Sequence, residues 1–137
     1  MTENLNPREQ YLGNPNLKKA FTSSEFTEDQ IVELSKCIED PKYFITNFIN
    51  IVTIDRGLVP FEMYEFQERM VDTFHNNRFT ICKLPRQSGK STTTISYLLH
   101  YALFNANSNI ALLANKSSTA RDILSRLQLA YENLPKW

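Results

Sequence analysis

Residues 84–93 read LPRQSGKSTT. Gly89, Lys90 and Ser91 are the residue types that close a phosphate-binding loop. A glycine lets backbone approach phosphate oxygens, a lysine carries a point charge to the β- and γ-phosphates, and a serine hydroxyl can ligate Mg²⁺. Gln87, Ser88 and Thr92 complete the candidate contact set. The first glycine of the pattern G-x-x-x-x-G-K-[ST] falls on Leu84, followed by Pro85, so the strict pattern is not met. The competing reading is a plain turn glycine followed by a solvated lysine. Arg86 lies three residues before Gly89, near where a γ-phosphate would sit. A guanidinium suits the charge on a transferring phosphoryl group and can act in cis. It equally suits a carboxylate partner that holds the loop.

Such a loop needs a strand leading in and a helix leading out. RFTICKL, residues 78–84, is a short β-rich run, and STTTISYLLHYALFNA has the length and apolar content of a buried helix. A helix start adds unpaired N–H groups and the positive end of its dipole. NIALLAN, residues 109–115, is a second strand-length apolar run. SSTARDILSRLQLAYENL is an amphipathic helix with Ile123, Leu127, Ala130, Tyr131 and Leu134 on one face. The order β–loop–α–β–α predicts a parallel, right-handed βαβ unit with helices on both faces.

Upstream, Thr27 with Gln30 forms a capping box, followed by an apolar face of Ile31, Leu34, Cys37 and Ile38. Asp40-Pro41 restarts a helix with body KYFITNFI. IVTID reads as a short strand closed by Arg56-Gly57. YEFQERMVDTFHNN is helical, with Tyr64, Phe66, Gln67, Met70, Val71 and Phe74 recurring at three or four. Residues 1–26 read as irregular, with a turn at GNPN, 13–16. The expected fold class is α/β: an incomplete P-loop NTPase, a parallel βαβ core with flanking helices, plus an N-terminal helical region. The boundary falls at residue 60, with 1–60 the helical subregion and 61–137 the start of the core.

With 42% hydrophobic and 22% charged residues the composition is that of an ordinary globular protein. Formal net charge is zero but uneven. Residues 83–137 hold seven Lys/Arg against two acids, about +5, which leaves about −5 for the first 82. That asymmetry fits a polyanion meeting the C-terminal part. Cys37 and Cys82 show no paired spacing, which argues against a disulfide scaffold or zinc site. The polar start MTENLNPREQ is no signal peptide. No apolar run approaches the ~18 residues of a membrane span. A reducing, cytosolic setting is expected.

LPRQSGKST resembles the Walker A loop of the large terminase subunits of tailed phages, the motors that package DNA into proheads. In that family the loop commonly reads [S/P/T]-R-Q-x-G-K-[S/T], without the first glycine. PKYFITNFINIVTIDRGLVPFEMYEFQERMV and NIALLANKSSTARDILSRLQLAYENLP are similar to the stretches before and after it, particularly in myovirus-type terminases. The similarity covers about residues 9–137. The resemblance implies ATP and Mg²⁺ as ligands, with Gly89, Lys90 and Ser91 as Walker A contacts and Arg86 as a cis arginine at the γ-phosphate. It implies that Gln67, twenty-three residues before Lys90, reads adenine as a Q-motif glutamine, donating to N7 and accepting from the 6-amino group. Tyr64 and Phe66 could then flank the base, although their spacing also fits core packing. Lys116 could reach DNA or nucleotide, or be a solvated lysine. The implied partners are double-stranded viral DNA, the portal and the small terminase subunit, in the cytoplasm of the infected host bacterium, with no membrane.

The family's second acid motif, Asp-Glu at the end of a later strand, has no counterpart: NIALLAN ends in Asn115, and Asp122 and Glu132 lie on a helix. The nuclease domain's metal-binding acids are absent too. The expectation is an N-terminal ATPase fragment with weak nucleotide binding and no useful turnover. The rivals are a helicase-like translocase fragment, a non-enzymatic phage protein that binds nucleic acid or a partner, and a small P-loop kinase.

Overall fold

Capping chemistry sets the first helix starts in the computed structural model, which describes residues 6–23, 25–53 and 55–136. Residues 1–5 and 24 of the stretch read as irregular, Ile54 of the strand read at IVTID, and Trp137 lie outside these. Helix α1 (Glu28–Glu39) opens on the expected box: the Gln30 N–H donates to Thr27 Oγ1 at 3.3 Å, and the Thr27 N–H donates to Gln30 Oε1 at 2.9 Å. Helix α2 (Pro41–Phe48) opens on Asp40, whose Oδ1 accepts from the Lys42 N–H at 2.8 Å. Pro41 fills the first helical position, where a missing N–H costs nothing.

Among the described residues two short antiparallel hairpins accompany the helices, one before α1 and one after α2. Strands β1 (Gln10–Tyr11) and β2 (Asn14–Lys18) pair within the stretch expected to be irregular. Their turn is Leu12-Gly13, with φ of 50° and 76°, so the turn sits just before the NPN of GNPN and Pro15 lies in a strand. Two consecutive positive φ angles match the twist of a tight hairpin. Strands β3 (Asn50–Thr53) and β4 (Gly57–Pro60) pair from Asn50↔Pro60 to Thr53↔Gly57. The Arg56-Gly57 end of IVTID is therefore a turn back into a second strand, with Gly57 at φ 69°.

The remaining elements are α3 (Glu65–Asn76), α4 (Lys90–Phe104) and α5 (Ser117–Glu132). Helices α2, α3 and α4 pack on one another, α1 covers α2, and α5 lies along α4. The core joins Cys37, Phe44, Ile45, Ile49, Phe61, Val71 and Leu99 to Ala130 and Leu134, residues from both sides of position 60. Ile45 and Val71 are wholly buried, and each such side chain contributes ~1.5–3 kcal/mol. Lys42 reaches across from α2 to α3, with Nζ 2.8 and 3.0 Å from the two oxygens of Asp72.

Polar groups inside this core are paired. His100 sits among Phe44, Tyr97 and Phe104, and its Nε2 lies 2.7 Å from the Cys37 carbonyl. A carbonyl only accepts, so Nε2 is the protonated nitrogen of the neutral ring. Burial holds the imidazole below its ordinary pKa. The Cys37 thiol is buried too and pushed up to about 11, which makes it a packing residue and a poor nucleophile.

The chain is thus a mixture of helices and small sheets, but the sheets are antiparallel and lie elsewhere than expected. Neither 78–84 nor 109–115 is in a strand. A strand exists only where a neighbour accepts and donates along its edge, and no described strand lies beside either segment. Both expose apolar side chains as a result: Ile81 is 99% and Leu113 90% exposed. Helix α4 is buried on one face only, through Thr93, Ile95, Ser96, Leu99 and His100, while Tyr101 and Leu103 stay exposed. On α1, Cys37 is buried and Leu34 half-buried, whereas Ile31 and Ile38 face solvent.

Candidate nucleotide-binding site

The sequence-selected residues meet at the start of α4. Pro85 to Ser88 form a loop with Gln87 in the left-handed region, φ 61°. Gly89 follows as the N-cap at φ 73°, and α4 begins at Lys90. Two left-handed residues separated by one other turn the backbone sharply just before the helix start. A glycine cap has no side chain, so none caps the helix. The first intrahelical bond is Thr93 N–H to Gly89 O at 3.0 Å. The N–H groups of Lys90, Ser91 and Thr92 therefore have no acceptor within the helix, and they sit at its positive end.

The loop is held shut by its own side chains. Pro85 O accepts from Lys90 Nζ at 3.2 Å and from Ser88 Oγ at 3.0 Å. The lysine thus folds back over the loop, a position from which it can turn to an incoming anion by giving up a single bond to a neutral carbonyl. Ser91 is exposed in the first turn, and its hydroxyl makes no hydrogen bond among the described residues. Thr92 is half-buried. Arg86 is exposed and pairs with no carboxylate among the described residues, so its guanidinium is available to a ligand.

Gln67 also reaches this place, from the third position of α3. It is 3% exposed. Its Oε1 accepts from the Tyr64 N–H at 2.9 Å, and its Nε2 donates to Ser88 O at 3.2 Å. A Cβ added to Gly89 would collide with that same Nε2. Tyr64 and Phe66 stack on each other, ring centroids 5.9 Å apart at 9°. Tyr64 is largely exposed, which leaves its other face open. Lys116 is placed at the N-cap of α5, a different helix start.

The metal-ligand inventory is short. Among the described residues no group of three or more His, Cys, Asp and Glu side chains could hold a metal. A cavity of about 310 Å³ lies between β2, α1, α2, α4 and the chain after α5, lined by Phe26, Phe44, Phe48 and Phe104 among others, with Lys18 and Lys136 at one side. None of residues 84–92 lines it, so it is separate from the loop. No helix is long and apolar enough to cross a membrane among the described residues. No protein-family model matches the chain.

Proposed function

We propose that the chain carries the phosphate-binding part of an ATPase, in keeping with its resemblance to the large terminase subunits that package phage DNA. The observation that carries this reading is the left-handed Gly89 capping α4 directly before Lys90, with the lysine ammonium folded over the loop onto Pro85 O. In this role the Lys90–Thr92 N–H groups receive phosphate oxygens, and Lys90 swings from Pro85 to the β- and γ-phosphates. Arg86 meets charge on the terminal phosphate from the open side of the loop. Mg²⁺, when bound, would neutralise phosphate charge. The Ser91 hydroxyl, a hard oxygen of the kind Mg²⁺ prefers, is the side chain of the loop that would hold it beside the phosphates.

The finer parts of the reading go with that resemblance. Segments 78–84 and 109–115 would be parallel strands of a P-loop core once their edges are paired. The assembled motor would act on double-stranded viral DNA, with a portal and a small terminase subunit, in the cytoplasm of the infected host.

Calorimetric titration with a magnesium-bound, non-hydrolysable ATP analogue tests the proposal. The wild-type chain should bind, Lys90→Ala should abolish binding, and Arg86→Ala should weaken the triphosphate more than the diphosphate. Binding that survives Lys90→Ala, or none by a chain shown to be folded, would overturn it. Retention on DNA that ignores both nucleotide and Lys90→Ala would favour a nucleic-acid-binding role for the exposed basic residues Lys116 and Arg121 instead.

A further inference from the structure

Gln67 is placed as the reader of adenine by the family resemblance, yet its amide is already committed. Reading adenine requires an open edge, with the oxygen accepting from the 6-amino group and the nitrogen donating to N7. Here Oε1 is held by the Tyr64 N–H and Nε2 by Ser88 O. The orientation is fixed by the neighbours. A flipped amide would set nitrogen against an N–H and oxygen against a carbonyl, losing both bonds. One donor and one acceptor valence remain, but with the residue 3% exposed they face protein rather than a ligand. To reach a base, Gln67 would have to release the first turn of α3 and the loop together.

We infer that Gln67 is a positioning residue for the loop and does not read the base. It ties Ser88 O to the start of α3, and its Nε2 lies where a side chain on Gly89 would go. The left-handed turn before Lys90 is thereby braced from behind. This rests on the nucleotide reading of the loop. Its consequence concerns ligand class: recognition at this loop is of the triphosphate chain, and any purine preference comes from elsewhere.

The test compares magnesium-bound, non-hydrolysable analogues of ATP and GTP with inorganic tripolyphosphate, titrated into wild type, Gln67→Met and Gln67→Glu. Gln67→Met keeps the length and loses both bonds. Gln67→Glu keeps an acceptor for the Tyr64 N–H but replaces the donor to Ser88 O by a carboxylate oxygen that repels it, so it perturbs the same loop contact if the methionine variant fails to fold. All three ligands should weaken by a common factor, about threefold to tenfold for one or two lost hydrogen bonds. The ATP-to-GTP affinity ratio should stay unchanged. In the ligand-free variants, amide hydrogen exchange should quicken at residues 86–91 and not within α2, a local change that general destabilisation does not produce. Loss of ATP affinity alone would show that Gln67 reads adenine and would overturn the inference, as would unchanged affinity for all three ligands. A folded wild type that binds none of them would remove the nucleotide reading itself, and this inference with it.

Discussion

Replacing Gly89 by alanine meets two separate obstacles, and a double-mutant cycle resolves them. The first is backbone: at φ 73° an L-residue with a Cβ pays ~1–2 kcal/mol relative to glycine. The second is the neighbour. The new methyl strikes Gln67 Nε2, and the amide must leave Ser88 O to make room. Losing that bond costs ~0.5–1.5 kcal/mol, and nearer ~3 kcal/mol if the displaced amide stays buried without a partner. Gly89→Ala should therefore destabilise the protein by ~2–4 kcal/mol. In a Gln67→Ala background the obstructing amide is gone, and only the backbone part, ~1–2 kcal/mol, should remain. The difference is a coupling of ~1–2 kcal/mol. Urea unfolding of the four proteins, followed by circular dichroism with equal slopes, measures it. Costs that simply add, to within ~0.5 kcal/mol, would mean that Gln67 neither presses on the loop nor braces it.

Two other expectations use the same unfolding assay. Gln87 holds φ 61° without being glycine, so Gln87→Gly should raise stability by ~0.5–1 kcal/mol, the relieved strain less the added freedom of the unfolded chain; a loss would refute the left-handed assignment. His100 is buried neutral, with its pKa below 6.5 in the fold. As pH falls through 6.5, the unfolded chain takes the proton first, so His100's part of the stability is intact above that value and drains away below it. The stability advantage of wild type over His100→Phe should shrink between pH 8 and pH 5, and an advantage that grows on acidification would contradict the buried neutral ring.

Where local chemistry decides, the sequence was readable. The Thr27–Gln30 box and the Asp40-Pro41 start depend on side chains three or fewer residues apart, and both helices begin where those residues place them. The glycine before Lys90 was legible for the same reason, since the turn into α4 needs φ that only glycine adopts freely. Pairing was not legible. RFTICKL and NIALLAN have strand composition, but a strand is made by its neighbour, and the described residues offer neither segment an edge. The reverse holds for β4: Gly57–Pro60 carries little strand signal, and it pairs because β3 is held next to it by a short turn. On α1, apolar spacing marked a face wider than the one α2 covers, because periodicity reports what a helix can bury and packing decides how much it does.

Gln67 shows how the two kinds of information can conflict at one residue. Its distance from Tyr64 is the distance from Thr27 to Gln30, and it makes the same bond, a side-chain oxygen accepting from the N–H of the residue that precedes the helix. The signal was in the spacing, but Tyr64 concealed it, since a tyrosine hydroxyl cannot return the bond to the third N–H as Thr27 Oγ1 does. Half of the box remains, and the other end of the amide is left to reach Ser88 O. A threonine at position 64 would leave this geometry in place and add the missing cap. A base-reading glutamine has no use for either bond. The arrangement is thus that of a helix cap whose spare donor has been turned onto the loop, and it links the first turn of α3 to the turn that presents Lys90.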